Sequence, residues 1–134
     1  MAPHDSAKHG EFCWRELLTV DQDAAFAFYS ELLGWEHVGD HDMGPEGKYL
    51  MYGRNGQALG GMFNMPKEMQ APPSFLYYVN VDDLDAALAR AKDRGAKVLN
   101  GPMEVPGGAR IVTLQDPQGA AFSLHEQPAA KPTA

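Results

Sequence analysis

Hydrophobic and polar positions alternate in two different rhythms along this chain, and the rhythms come in the same order twice. Phe12 to Thr19 mixes aromatic, Cys, Leu and Thr residues in a short run, which predicts a strand. Asp21 follows where a helix N-cap belongs, its carboxylate able to accept orphan backbone N–H groups. Phe26, Tyr29 and Leu33, with Phe28 and Leu32 beside them, then recur at helical spacing up to Gly34, a C′ residue. Trp35–Asp40 and Lys48–Gly53 read as strands, and Asn55-Gly56 as a turn before a further strand, Gln57–Phe63. Pro66, Pro72 and Pro73 make residues 65–73 a linker, because proline cannot join a central strand.

After the linker the pattern restarts. Ser74–Val81 predicts a strand, Asp82 a second N-cap, and Leu84, Leu88 and Ala91 the apolar stripe of a helix ending at Gly95. Ala96–Leu99, Arg110–Leu114 and Ala120–Glu126 read as strands, the last two joined by the turn Asp116-Pro117-Gln118-Gly119. Val20-Asp21 and Val81-Asp82 open the two helices, Gly34 and Gly95 close them, and Asn55-Gly56 matches Gln118-Gly119. Such self-similarity decides the architecture. The expected fold class is α+β, two βαβββ repeats forming a curved mixed sheet around a cleft. The repeats cover about 11–64 and 74–126 of a single domain, 11–126. Residues 1–10 and 127–134 carry no periodicity and read as flexible tails.

Composition narrows the function without naming it. The 134 residues hold 11 Lys+Arg against 18 Asp+Glu, a net charge of −7, with 44% hydrophobic and 22% charged. That is one soluble domain large enough for a core, and its acidic balance argues against nucleic acid or anionic lipid as partner. No apolar run reaches the roughly 20 residues of a membrane span, and the first ten residues contain no signal-like apolar segment. Cys13 is the only cysteine, which excludes an intrachain disulfide and suits a cytoplasmic location.

Trp14-Arg-Glu-Leu-Leu-Thr-Val-Asp21, Phe28-Tyr29-Ser-Glu-Leu-Leu-Gly34-Trp35, Val79-Asn-Val-Asp-Asp-Leu84, Gly95-Ala-Lys-Val98 and Asp116-Pro-Gln-Gly119 leading to Phe122-Ser-Leu124 together resemble the vicinal oxygen chelate superfamily. This is the group of glyoxalase I, bleomycin-resistance proteins and extradiol dioxygenases. The opening Trp-x-Glu-Leu-x-Thr resembles a glyoxalase-like subgroup whose members mostly lack assigned substrates. The resemblance implies paired βαβββ modules around a cup-shaped cleft, frequent homodimerisation, and, in metal-dependent members, a divalent ion that polarises vicinal substrate oxygens. It places the four ligand positions on Trp14, Gly60, Leu76 (give or take one residue) and Ser123. Trp, Gly and Leu offer no suitable donor and Ser is a poor ligand, so the expectation is no cofactor and no standard metal site.

Strand alternation then fills in the cleft, since i and i+2 share a face. Trp14 brings Glu16, Gly60 brings Met62, Leu76 brings Tyr78 and Asn80, and Ser123 brings His125. The result is an apolar, aromatic site with few polar groups, suited to a small organic ligand. Glu16 beside Trp14 is the candidate catalytic base; its ordinary alternative is a solvated carboxylate or one paired with Arg15 or Arg110. His125 is either an acid/base or a surface histidine near a strand end. Trp14 and Tyr78 stack a flat ligand or simply fill the core, and Cys13 reads as a buried, inert thiol. His37 and His41, with Asp40 and Asp42, read as a solvated polar run on a mobile edge, although the two imidazoles could share a strand face. The loop Pro102–Gly108 is either a hairpin connection or a lid over the cleft. The leading reading is a metal-free small-molecule-binding protein of unassigned substrate. Its rivals are a lyase, isomerase or dioxygenase-type enzyme using Glu16 or a non-standard metal site, and a purely structural pairing role for edge strands.

Overall fold

A computed structural model describes residues 7–128; the first six and last six residues of the expected tails lie outside the described residues. Two compact units emerge within it, residues 14–76 and residues 7–13 with 77–128. The N-terminal unit contains most of β1 (Phe12–Thr19), α1 (Gln22–Leu33), β2 (Glu36–Asp42), the short 3-10 turn Gly44–Glu46, β3 (Lys48–Arg54) and β4 (Gln57–Asn64). The C-terminal unit contains most of β5 (Ser74–Asn80), α2 (Leu84–Asp93), β6 (Lys97–Glu104), β7 (Arg110–Gln115) and β8 (Ala121–Glu126).

Each unit has the same wiring. β2, β3, β4 and β1 lie side by side in the first, and β6, β7, β8 and β5 in the second. The hairpin neighbours are antiparallel, while β1–β4 and β5–β8 are parallel. The helix that follows β1 or β5 packs back on its own sheet. Under α1 lie Leu17, Leu50, Tyr52 and Met62, with Ala25, Phe26, Tyr29 and Trp35 packed against them. Under α2 lie Val81, Leu84, Leu88, Val112, Leu114 and Leu124, with Ala87 and Ala91. The two βαβββ repeats of an α+β fold are therefore present as expected.

Helix starts are built identically in both units. Asp21 accepts from Ala24 N at 3.1 Å and Asp83 from Ala86 N at 3.0 Å. The next residue's backbone N–H is tied to the last residue of the final strand, Gln22 N to Asn64 Oδ1 and Leu84 N to Glu126 Oε2, both at 2.7 Å. Two orphan donors at each helix start thus find partners in the same way in both units. The second N-cap is Asp83 and not Asp82, whose N–H donates to His9 Nδ1. The repeat spacing at the helix starts is 83 − 21 = 62. Both glycines still follow their helices in left-handed conformation, Gly34 at φ 74° and Gly95 at φ 100°. The second helix is simply shorter, 10 residues against 12.

The expected apolar stripe of α1 needs trimming. Ala25, Phe26 and Tyr29 reach the core, whereas Phe28, Leu32 and Leu33 are exposed. His37 and His41 lie in a paired strand rather than on a mobile loop, and a register shift between His37 and Gly39 turns them to opposite faces. His37 meets Phe26 under α1 and bonds Asp40 at 2.8 Å; His41 meets Tyr49 on the other side. Residues 7–10, expected in the N-terminal tail, are hydrogen-bonded to Asn80 and Asp82 through Ala7, His9 and Gly10. The segment Pro102–Gly108, read as either a hairpin connection or a lid, is a tight hairpin end: β6 runs to Glu104, and Val105 N bonds Ala109 O at 2.8 Å.

Candidate functional site

In each unit one sheet face is covered by its helix, and the candidate residues belong on the far face. In the N-terminal unit Glu16 stands opposite Gly61 on the neighbouring strand, and Gly61 opposite Met51. Leu17 stands opposite Met62, and Tyr52 opposite Gly60. Partners across a ladder share a face. Gly60 and Met62 therefore lie under α1 in the core, and Gly61 takes the place assigned to Gly60 on the far face.

The physical reason is a bulge. Tyr52 pairs with Gly60 but the next residue, Gly53, pairs with Ala58, so Leu59 is an extra residue in β4. The corresponding β7–β8 ladder runs without a shift from Arg110 to Gln115. One inserted residue flips every later side chain to the other face. Counting from the turn made Gly60 the partner of Ser123. The ladders instead pair Glu16 with Gly61 and Tyr78 with Ser123, which restores the spacing of 62.

Gly61 has a reason to lack a side chain. Any Cβ there would overlap the ring of Tyr49, which lies over the glycine. Tyr49 is held in turn by Trp14, whose indole Nε1–H donates to the phenol oxygen at 2.8 Å. Glu16, two residues from Trp14, is 9% exposed. Of the two arginines considered as its partner, Arg15 donates through Nη1 to Leu59 O, and Arg110 grips Asp85 with two bonds of 3.0 and 3.1 Å. Trp14, Glu16, Tyr49 and Gly61 thus form one contiguous group, of which Tyr49 was not anticipated. Its signal was only partial: Tyr49 is two residues from Met51, which stands opposite Gly61, so the two share a face of β3.

The far face of the C-terminal unit carries Tyr78 and Asn80 on β5, Ser123 and His125 on β8, and Thr113 on β7. All four expected residues are buried, and Ser123 Oγ and Thr113 Oγ1 share a hydrogen bond of 2.7 Å. Cys13 is buried and its Sγ contacts Tyr78 O at 3.6 Å. His125, expected near the surface, is only 2% exposed. Its Nδ1 lies 3.1 Å from Asn80 Oδ1, while Asn80 Nδ2 donates to Ala7 O at 3.0 Å. The amide is therefore oriented, and His125 must carry its proton on Nδ1. Nε2 is left as a bare acceptor, buried and without a hydrogen-bond partner. An unsatisfied buried acceptor costs about 1–3 kcal/mol.

Burial pushes the His125 imidazole below its ordinary 6.5, against a smaller upward pull from the Glu126 carboxylate. The unfolded chain then binds a proton near pH 6.5 that the folded chain refuses. Stability contributed by neutral His125 is full above pH 6.5 and is lost as pH falls toward the folded value, by at most about 1.4 kcal/mol per pH unit. Asp40 and Asp85 are held below 3.8 by His37 and Arg110, so their windows lie at more acidic pH. Denaturant unfolding below pH 6.5 should show this slope in the wild type and a flatter one in His125→Gln. Equal slopes would refute it.

The four positions where the resemblance implies metal ligands, with Gly61 replacing Gly60, are Trp14, Gly61, Leu76 and Ser123. An indole N–H engaged with Tyr49, a glycine, a leucine and a serine already bonded to Thr113 do not fit a divalent cation. Among the described residues no three of His, Cys, Asp and Glu gather as a metal cluster elsewhere. No helix among them is long and apolar enough to cross a membrane. A cavity of about 300 Å³ also opens beside α1, lined by Leu17, Ala25, Phe28, Tyr29, Pro73 and Phe75 among others. Periodicity did not reveal it, because it joins a helix to the segment after the linker.

Comparison with known proteins agrees with this architecture. The Glyoxalase/Bleomycin resistance protein/Dioxygenase superfamily matches residues 13–124. "Putative glyoxylase CFP32" of Mycobacterium tuberculosis (strain CDC 1551 / Oshkosh) is 32% identical over 126 residues, 92% of this chain and 48% of that protein. Anthracycline biosynthesis protein DnrV of Streptomyces peucetius is 28% identical over 128 residues, 86% of this chain and 46% of that protein. The chain thus spans about half the length of both relatives. Methylmalonyl-CoA epimerase from Mycobacterium tuberculosis shares the fold, with a TM-score of 0.66 at 19% identity over 93% of this chain and 92% of that one. A twofold βαβββ repeat with this match along nearly its whole length means that the chain belongs to the Glyoxalase/Bleomycin resistance protein/Dioxygenase superfamily.

Proposed function

We propose that this protein binds a small organic molecule without a metal ion, on the far face of the N-terminal unit. The observation that carries the reading is the Tyr49 ring lying over Gly61 and bonded to Trp14 Nε1. A position that holds a metal ligand in metal-dependent members is here taken up by an oriented phenol beside an indole. Two amphipathic aromatics and the buried Glu16 carboxylate give an apolar surface with a few directional groups, the composition of small-molecule sites. The same reading has the protein in the cytoplasm, its sole cysteine buried, and pairs it by family analogy with a second copy.

Thermal-shift and tryptophan-fluorescence titrations test this. The probes are aromatic alcohols, 2-oxoaldehydes and an anthracycline, the last because of the name DnrV carries. At least one probe should stabilise the protein equally with and without EDTA. Tyr49→Phe, which keeps the ring but not the hydroxyl, should weaken that probe about tenfold, the worth of one hydrogen bond. Failure of every probe, or binding that requires an added divalent ion, would reject the reading.

The burial of Glu16 on this same face supports a second reading, proton transfer by an isomerase, lyase or dioxygenase-type enzyme with Glu16 as base. Glu16→Gln would then retain probe binding and abolish probe turnover; a turnover that survives the change excludes Glu16 as the base.

A further inference from the structure

We propose that the cavity beside α1 is a second binding site, on the helix side of the N-terminal sheet, and that it takes a neutral molecule of two fused aromatic rings. All of its lining residues lie within the N-terminal unit, residues 14–76. Leu17 and Thr19 bring β1 into the lining, and residues two apart on a strand share a face. Leu17 packs beneath α1 with Met62, whereas Glu16 stands opposite Gly61 on the far face. The sheet itself therefore separates this cavity from the group formed by Trp14, Glu16 and Tyr49. Space exists because of Ala25. Ala25, Phe28 and Tyr29 fall at i, i+3 and i+4 and share one side of α1. Ala25 contributes only a methyl group between two rings, and Pro73 bounds the space from the segment that leads into β5.

Charge, ring geometry and size together select the ligand. No lining residue is Asp, Glu, Lys, Arg or His, so an ion would give up its water without gaining a counter-charge. Tyr29 stands edge to face with Phe28, centroids 5.0 Å apart at 84°, and with Phe75, 5.9 Å apart at 71°. Rings set at steep angles offer a flat π-system both edges and faces, the arrangement aromatic pairs prefer. A volume of about 300 Å³ is twice the roughly 150 Å³ that holds a single benzene, which leaves room for two fused rings. Thr19, Ser74 and Tyr29 each carry a hydroxyl, enough to meet one polar substituent. Phe28 is the residue that gains most. It borders the cavity and is still 59% exposed, so a ligand seated against it takes an aromatic ring out of water.

One titration reads this site and the far face separately. Methyl NMR spectra, with the Trp14 indole N–H followed in parallel, are recorded against 2-naphthol and two controls. 2-Naphthalenesulfonate keeps the rings and adds a fixed charge; decahydro-2-naphthol keeps the size and hydroxyl and loses the π-system. 2-Naphthol should shift the Ala25 methyl saturably, show NOEs to it, and bind at least about tenfold tighter than either control. Phe28→Ala, at an exposed helix position that tolerates the change, should weaken 2-naphthol about tenfold. Ala25→Leu should fill the cavity and abolish binding, read at the Leu17 methyls; if that variant does not fold, Phe28→Ala decides. Equal affinity for 2-naphthol and a control, a response at Trp14 without one at Ala25, or full affinity in Phe28→Ala would overturn the proposal. So would an Ala25 resonance that moves when the protein alone is diluted. That would show a second copy of the chain covering Phe28 and its exposed neighbour Leu32.

Discussion

Gly61→Val is expected to destabilise the protein by about 2–3 kcal/mol, the range for overfilling a packed site, and to break the Trp14–Tyr49 hydrogen bond. The ring of Tyr49 occupies the volume that any side chain at 61 would enter, and the strand backbone beneath it is fixed by the ladders to β1 and β3. Relief requires the ring to leave, which also removes the acceptor from Trp14 Nε1. The double variant Gly61→Val with Tyr49→Ala separates this from a backbone effect. If the clash is the cause, the two changes will be non-additive, the pair costing at least about 1 kcal/mol less than the sum of the singles. Guanidinium unfolding of the four proteins gives the cycle. Strict additivity would mean that Tyr49 does not lie over Gly61, and the proposed binding face would go with it.

Leu114→Ala should cost about 3–4 kcal/mol, within the range measured for large-to-small changes in closed cores. Leu114 is fully buried among Val112, Leu84, Leu88 and Leu124 beneath α2, where neighbours on two elements limit collapse into the cavity. Leu32→Ala, on the exposed side of α1 at 60% exposure, should change stability by no more than about 0.5 kcal/mol. Both leucines belong to apolar runs, so the contrast measured by urea unfolding tests the assignment of faces. Leu114 pairs with Phe122, one step from the Thr113–Ser123 pair. The same variant should loosen that hydroxyl pair and broaden the His125 resonances. A loss under about 1 kcal/mol would show that β7 is not pinned beneath α2.

Most strands and both helices could be read from the chain because period 2 and period 3.6 are local properties, and because Asp at a helix start and Gly after its end are short-range chemistry. Reading the duplication gave the relative order of elements at no extra assumption. Three of the errors have one form. Asp82 for Asp83, Gly60 for Gly61, and a shared face for His37 and His41 are each shifts of one residue. In β4 the cause is Leu59 and in β2 the shift beside Val38, bulges that leave no periodic trace because a bulge adds a residue without changing its neighbours' character.

Composition, the two rhythms and the repeated caps, all carried by neighbours within a turn or a strand, determined on their own that this is a duplicated βαβββ chain; the resemblance to the superfamily added the four implied metal positions and their want of suitable ligands. Which side chains meet was decided only by tertiary structure. Tyr49 comes over Gly61 from another strand, and His125 loses water and gains its tautomer from Asn80, 45 positions away. Burial and hydrogen-bond partnership are set by residues distant in sequence, and in a sheet a single inserted residue decides which of two faces each one joins.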